Sequence, residues 1–188
     1  SVQAGLVAEL DIHAIYNLVG DQLGTIFPNT DVGIRIYEKP NNLVHFPYVM
    51  ERGQRIEVEA IPFDDKGIFA QVFRTRQPTL FNKNLAEEVE KLGSYPLPGT
   101  DLEKSGLYMP LLVGDEVRGM IDLIDMEHED AFSDSDVRLL TTLANSMSIA
   151  LENARLFDES QRLLKETEER NAELSIINSV QAGLVAEL

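Results

Sequence analysis

The chain has 188 residues, 44% of them hydrophobic, enough for one domain core with helical extensions. Its formal net charge of −16, from 32 acidic against 16 basic residues, argues against nucleic acid or an anionic membrane surface as a partner. The sequence contains no cysteine, which excludes disulfides, thiol nucleophiles and thioether-linked cofactors.

From the N-terminus, residues 2–24 carry a helical stripe through Leu6, Leu10, Ile12, Ile15, Tyr16, Val19 and Leu23. Phe27-Pro28-Asn29-Thr30-Asp31 ends it. Residues 32–38 and 43–50 read as strands joined by the hairpin signal Lys39-Pro40-Asn41-Asn42. In the first, Ile34 and Ile36 share one face and Arg35 and Tyr37 the other; in the second, Val44, Phe46 and Tyr48 alternate with His45 and Pro47. Residues 51–66 are charged and irregular, with a short strand expected at Ile56-Glu57-Val58 and a turn at Asp64-Asp65. Ile68, Phe69, Val72 and Phe73 predict a short amphipathic helix over 67–75. A short strand over 79–81, a brief helix around 85–92 and a loop over 93–100 follow. Residues 106–113 and 117–125, turning through Gly114-Asp115-Glu116, are the clearest strand pair. Without βαβ spacing, this order predicts an antiparallel sheet with helices on its faces, an α+β domain.

Residues 133–157 predict a helix packed on the core. Ser133 is its N-cap, Asp134 and Asp136 suit its first turn, and Val137, Leu140, Ala144, Met147, Leu151 and Ala154 form its stripe. Over 158–188 the composition becomes charged. The apolar positions narrow to a seam of Leu163, Thr167, Arg170, Leu174, Ile177, Gln181, Leu184 and Leu188. This is heptad spacing interrupted by Thr167, Arg170 and Gln181, supported by the i,i+4 pairs Asp158–Arg162 and Glu166–Arg170. So narrow a stripe leaves a lone helix nothing to bury, so a two-stranded coil and a homodimer through the terminal helices are expected. Residues 179–188 repeat residues 1–10 letter for letter, within a helical pattern at both ends. The chain therefore reads as one period of a tandem array, cut within the connecting helix. The expected divisions are 1–24, a linker and packing helix; 25–132, sheet and pocket; 133–157, packing helix; and 158–188, coiled-coil-like linker.

Several runs, in order, resemble a GAF domain. They are Val32-Gly33-Ile34-Arg35-Ile36-Tyr37, Gly67-Ile68-Phe69 with Thr75-Arg76-Gln77-Pro78, and Ser105-Gly106-Leu107-Tyr108-Met109-Pro110-Leu111. Val117-Arg118-Gly119-Met120-Ile121-Asp122-Leu123 and Phe132-Ser133-Asp134-Ser135-Asp136 complete the set, which covers about residues 10–157. The linker and the repeated ten-mer resemble bacterial signalling proteins that string GAF modules before a histidine kinase, nucleotide cyclase or similar output domain. The resemblance implies a six-stranded antiparallel sheet with the terminal helices on one face and a ligand pocket under short helices and loops on the other. Ile34 and Ile36 would then face the terminal helices, Arg35 and Tyr37 the pocket, and Asp122 would point opposite to Ile121 and Leu123. Alternation by itself gives two faces without saying which carries the pocket.

Arg35, Tyr37, Tyr48, Phe69, Phe73, Tyr108 and Asp122 are the candidate ligand-binding residues, an Arg and an Asp among aromatics that orient a small polar molecule. The same spacings suit a core, which leaves a side-chain-filled pocket in a ligand-free dimerisation spacer as the alternative. GAF domains that bind cyclic nucleotides carry Asn-Lys after the last core strand and Phe-x-x-x-Asp-Glu further on. Here those positions read Ile124-Asp125 and Phe132-Ser133-Asp134-Ser135-Asp136-Val137. The Phe and Asp match while the Asn, Lys and Glu do not, so a cyclic nucleotide is not the expected ligand. Covalent bilin and the cysteine-dependent reductases of this fold are excluded with cysteine.

His13, His45 and His128 are scattered, and Glu127-His128-Glu129-Asp130 reads as a solvated turn, so no metal site is expected. There is no Gly-rich phosphate loop, nucleophile elbow or kinase signature set. No apolar run reaches membrane-spanning length and no signal peptide opens the chain, so a cytoplasmic location is expected. The expectation is a non-catalytic sensor module, partnered by a second copy, neighbouring GAF repeats and an output domain.

Overall fold

The computed structural model describes residues 2–93 and 103–186, with side chains described over 12–93 and 103–182. In chain order the elements are α1 (Val2–Ile26), β1 (Asp31–Glu38), β2 (Leu43–Glu51), β3 (Gln54–Arg55), β4 (Ile61–Pro62) and α2 (Gly67–Thr75). They continue with β5 (Thr79–Phe81), α3 (Leu85–Lys91), β6 (Ser105–Val113), β7 (Glu116–Asp125) and α4 (Asp134–Ala186). The chain divides into two compact units, residues 13–151, and residues 1–12 with 152–188.

Residues 13–151 are built on an antiparallel sheet in the order β3-β2-β1-β7-β6-β5, with β4 pairing the start of β2. It has seven strands where six were expected, because β3 and β4 are two-residue pairings on the same edge. They replace the strand expected at Ile56-Glu57-Val58, which is not formed. Only the Ile56 N–H keeps a ladder bond, to the Val49 carbonyl at 3.0 Å. The cause is a tight two-residue turn at Arg52-Gly53, both with positive φ (49° and 75°), which folds the chain back at once and leaves β3 as its stub.

In the sheet centre the register places Ile34 opposite Ile121, and Ile121 opposite Met109. With Val32, Leu107, Leu111 and Leu123 these residues are 2% exposed or less. Each such side chain contributes about 2 kcal/mol through its burial. The covering residues come from α1 (Tyr16, Leu23) with Phe27 just beyond it, and from α4 (Leu140, Ala144, Met147), all buried at helical spacing. Contact between the layers is direct. Thr141 Oγ1 lies 3.6 Å from Met109 Sδ, and the Tyr48 hydroxyl on β2 donates to Asp21 Oδ1 of α1 at 3.0 Å.

The start of α4 follows its sequence signal. The Asp136 N–H donates to Ser133 Oγ at 3.3 Å and the Ser133 N–H donates to Asp136 Oδ2 at 2.7 Å, a capping box in which Asp replaces the usual Glu. Asn82, after β5, pins the chain entering this cap. Its amide donates to the Phe132 carbonyl at 2.7 Å and its Oδ1 accepts the Phe132 N–H at 3.2 Å.

In residues 152–186 of α4 the seam members Leu163, Leu174 and Ile177 are 51%, 56% and 50% exposed, and Thr167, Arg170 and Gln181 are exposed beside them. The Leu184 side chain and Leu188 lie outside the described residues. Arg170 pairs with Glu166 at 2.7 Å and Arg155 with Glu159 at 2.8 Å, both i,i+4. The Asp158–Arg162 pair expected from the same spacing is not formed.

Candidate functional site

The face of the sheet opposite Ile34 and Ile121 lies under α2 and α3, where Ile68, Phe69, Val72 and Leu85 bury against Val44, Tyr108, Met120 and Ile124. Between them opens a cavity of about 360 Å³. Arg35, Tyr108 and Asp122 all line it, and Asp122 is 7% exposed. The register explains the meeting. Gly33 of β1 and Tyr108 of β6 flank Asp122 of β7 on the same row, and Arg35 is two residues along β1 from Gly33.

Arg35 Nε donates to Asp122 Oδ1 at 2.8 Å, and the guanidinium lies 5.6 Å from the centre of the Phe46 ring. Gly33 makes room for this. A Cβ there would sit 2.3 Å from Asp122 Oδ2, so any side chain pushes the carboxylate off its partner. Burial opposes the charge on Arg35, and Asp122, Tyr108 and Glu103 together outweigh it, holding the guanidinium above its ordinary value. Burial raises the Tyr108 hydroxyl well above its usual range, reinforced by Glu103 and Asp122.

Glu103 completes the group. The residue exposes much of its surface, but its carboxylate lies close enough to the Tyr108 hydroxyl for the two groups to shift one another. Burial of that tip, followed by repulsion from Asp122 and Asp31, raises its carboxyl above the ordinary 4.5 against the opposing pull of Arg35. The folded state therefore holds this proton more tightly than the unfolded chain. Its contribution to stability falls as pH rises from 4.5 through the raised value and is unfavourable at neutral pH. Glu103→Gln is expected to melt higher than the parent at pH 7 and to lose that advantage below about pH 4. Thermal melts at the two pH values check this; an equal difference at both would contradict it.

The other candidates go elsewhere. Phe69 is 8% exposed in the core beside the cavity. Tyr37 and Phe73 join Phe63 in an aromatic cluster with ring centres 5.2 Å apart. They border a separate depression of about 300 Å³ shared with Lys39, Arg76 and Arg118. Tyr48 does not reach the cavity face at all. It pairs with Ile34, and its ring packs on Gly20 of α1. The cause is a β-bulge. Ile34 pairs with Tyr48 but Ile36 with His45, so Phe46 and Pro47 together oppose Arg35. Pro47 has no N–H for the ladder, which favours the bulge, and the extra residue moves Tyr48 to the other face while Phe46 stays under Arg35.

Glu103, Gly33 and Phe46 were missed as site residues. Gly33 and Phe46 had a signal, one facing Asp122 in the strand pairing and the other sharing the Arg35 side; Glu103 sits in a connection with no periodicity. A larger groove of about 1080 Å³ near the end of α1 is walled mostly by exposed residues, among them Asp21, Asn29, Arg52 and Lys104. Among the described residues there is no group of three or more His, Asp or Glu that could hold a metal. The turn at Glu127-His128 is shaped by Asp125, whose Oδ1 accepts both backbone N–H groups at 2.8 and 2.7 Å.

The GAF domain family model matches residues 9–152, and the chain belongs to the GAF domain family. It is similar to residues 122 to 287 of a methyl-accepting chemotaxis protein, at 16% identity over 81% of this chain and 97% of that one, with a TM-score of 0.65. The GAF-B domain of DevS from Mycobacterium smegmatis is similar at 21% identity over 82% and 99%, with a TM-score of 0.59. So is the free methionine-R-sulfoxide reductase from Neisseria meningitidis, solved in complex with its substrate, at 18% identity over 82% and 87%, with a TM-score of 0.61. At these identities the likeness is one of fold. A chemotaxis protein and an enzyme share it, so function has to be argued from the site. No helix among the described residues is long and apolar enough to cross a membrane.

Proposed function

We propose that this GAF domain is a non-catalytic sensor module of a signal-transduction protein. It binds a small molecule in the cavity beside Arg35, Tyr108 and Asp122, dimerises through the α4 seam, and passes a change of state along α4 to a neighbouring module or output domain. The cavity carries the reading: about 360 Å³, with polar and apolar groups sharing its walls about equally, it has the size of a small-molecule site. The chemistry of its Arg35 and Tyr108 suits recognition better than catalysis. Arg35 is held in its charged form and the Tyr108 hydroxyl is shifted away from ionisation, the wrong direction for a nucleophile or base.

Dimerisation is supported by Leu156, Leu163 and Ile177, exposed apolar residues on one seven-residue row that Arg170 alone interrupts, with Leu174 on the adjacent row. Changing Leu163, Leu174 and Ile177 together to Asp is expected to turn the dimer into a monomer by light scattering while the melting of the sheet domain is retained. A dimer of unchanged mass would sink the coiled-coil assignment. The alternative, a ligand-free spacer, is favoured by one observation: Asp122 already neutralises Arg35 at 2.8 Å.

A further inference from the structure

The charges around the cavity are unequal. Four carboxylates line it, Asp31, Glu51, Glu103 and Asp122, against the single guanidinium of Arg35. Arg35 is already committed to Asp122 at 2.8 Å, so three carboxylates remain without a cationic side chain among the described lining residues. Asp31 accepts the backbone N–H of Arg52 at 2.7 Å, and Glu103 has the Tyr108 hydroxyl nearby; neither neighbour removes the charge. Lys104 and Arg52 line the neighbouring groove, which shares Asp31 with this cavity; Glu51 and Glu103 line the cavity and not that groove. Residues 94–102, between α3 and Glu103, contain no Lys or Arg to add. The raised carboxyl of Glu103 registers the same excess, since burial and then Asp122 and Asp31 push it up more than Arg35 holds it down.

Such a cavity repels an anion, whose entry adds a fifth negative group beside walls of Phe46, Ile68, Val89 and Ile124. A cation entering it meets partners already in place and an apolar surface for its body. We propose that the cavity takes a small organic cation, an amine or guanidinium carried on an apolar body, and selects against anions of the same size. This rests on the reading of the cavity as the ligand site. It also predicts, independently of the partial motif, that a phosphate-bearing cyclic nucleotide binds weakly here.

The test uses three probes of one shape and different charge: benzylamine (an ammonium at neutral pH), benzyl alcohol and benzoate, titrated at matched ionic strength into the methyl-labelled chain. The methyl signals of Ile68, Val89 and Ile124 report the cavity. Benzylammonium is expected to give saturable shifts there and to bind at least ten-fold more tightly than benzoate. Glu103→Gln is expected to weaken it on the order of five-fold, the scale of one partly screened charge contact, and to leave benzyl alcohol unchanged. Binding of benzoate as tight as benzylammonium, or of benzyl alcohol as tight as benzylammonium, would overturn the charge selection while the cavity stood as a ligand site. No saturable shift from any of the three would overturn both.

Discussion

Replacing Gly20 with Val is expected to destabilise the sheet domain by about 3 kcal/mol and to lower its melting temperature by roughly 10 °C. A Cβ on Gly20 would lie 2.3 Å from Tyr48 Cε2 and 2.4 Å from Cδ2 and Cζ, inside the ring. The ring has nowhere to go. It is 1% exposed, the Arg55 guanidinium covers it at 3.6 Å from its centre, and its hydroxyl is tied to Asp21. Helix propensity by itself favours the change by a few tenths of a kcal/mol, so a loss of this size measures the clash. Gly20→Val combined with Tyr48→Ala should destabilise by less than the sum of the two single changes, because the second removes what the first collides with. Urea unfolding of the four chains measures both points. A Gly20→Val protein as stable as the parent would contradict the packing of α1 on β2.

Asp122→Ala is expected to cost about 2–3 kcal/mol, more than a surface ion pair and less than a fully buried one. Asp122 is 10% exposed by side chain and Arg35 32%, so the guanidinium left behind is partly, not wholly, cut off from water. Asp122→Asn keeps the shape and one hydrogen-bond acceptor, and should cost roughly half as much. Removing the charge should also let the Glu103 carboxyl relax downward, since Asp122 is its main repelling neighbour. Unfolding free energies of the two variants, with a carboxyl titration of Glu103 by NMR, check the pair. Equal stability of Asp122→Ala and the parent would remove Arg35–Asp122 from the account of the site.

Much of this was legible in the sequence, and the exceptions have physical causes. Helix α2, the β6–β7 hairpin and the Ser133 cap follow their local signals closely, because each depends on period or on a cap of a few residues. The two faces of β1 were also legible: Ile34 turns to the helix layer, and Arg35 meets Asp122 across from it. The same reading fails on β2, where one bulged residue at Phe46–Pro47 inverts the alternation and sends Tyr48 to the wrong side of the sheet. Pro47 was the clue, since a strand proline lacks the N–H its neighbour needs. Tyr37 and Phe73 share the correct face but fill it with each other and Phe63, a matter of distance along the sheet that period two does not contain. Glu103 follows residues without a repeating pattern, so no local signal places it beside Tyr108.

The central claim is a dimeric module that holds a small molecule, and native mass spectrometry of the purified chain, beside the same sample after denaturation, tests it most directly. It reads the oligomeric state and any retained ligand in one spectrum. The expected result is a dimer carrying an additional small mass that denaturation releases and that Asp122→Ala fails to retain. A monomer without added mass, unmoved by amines in solution, would contradict it.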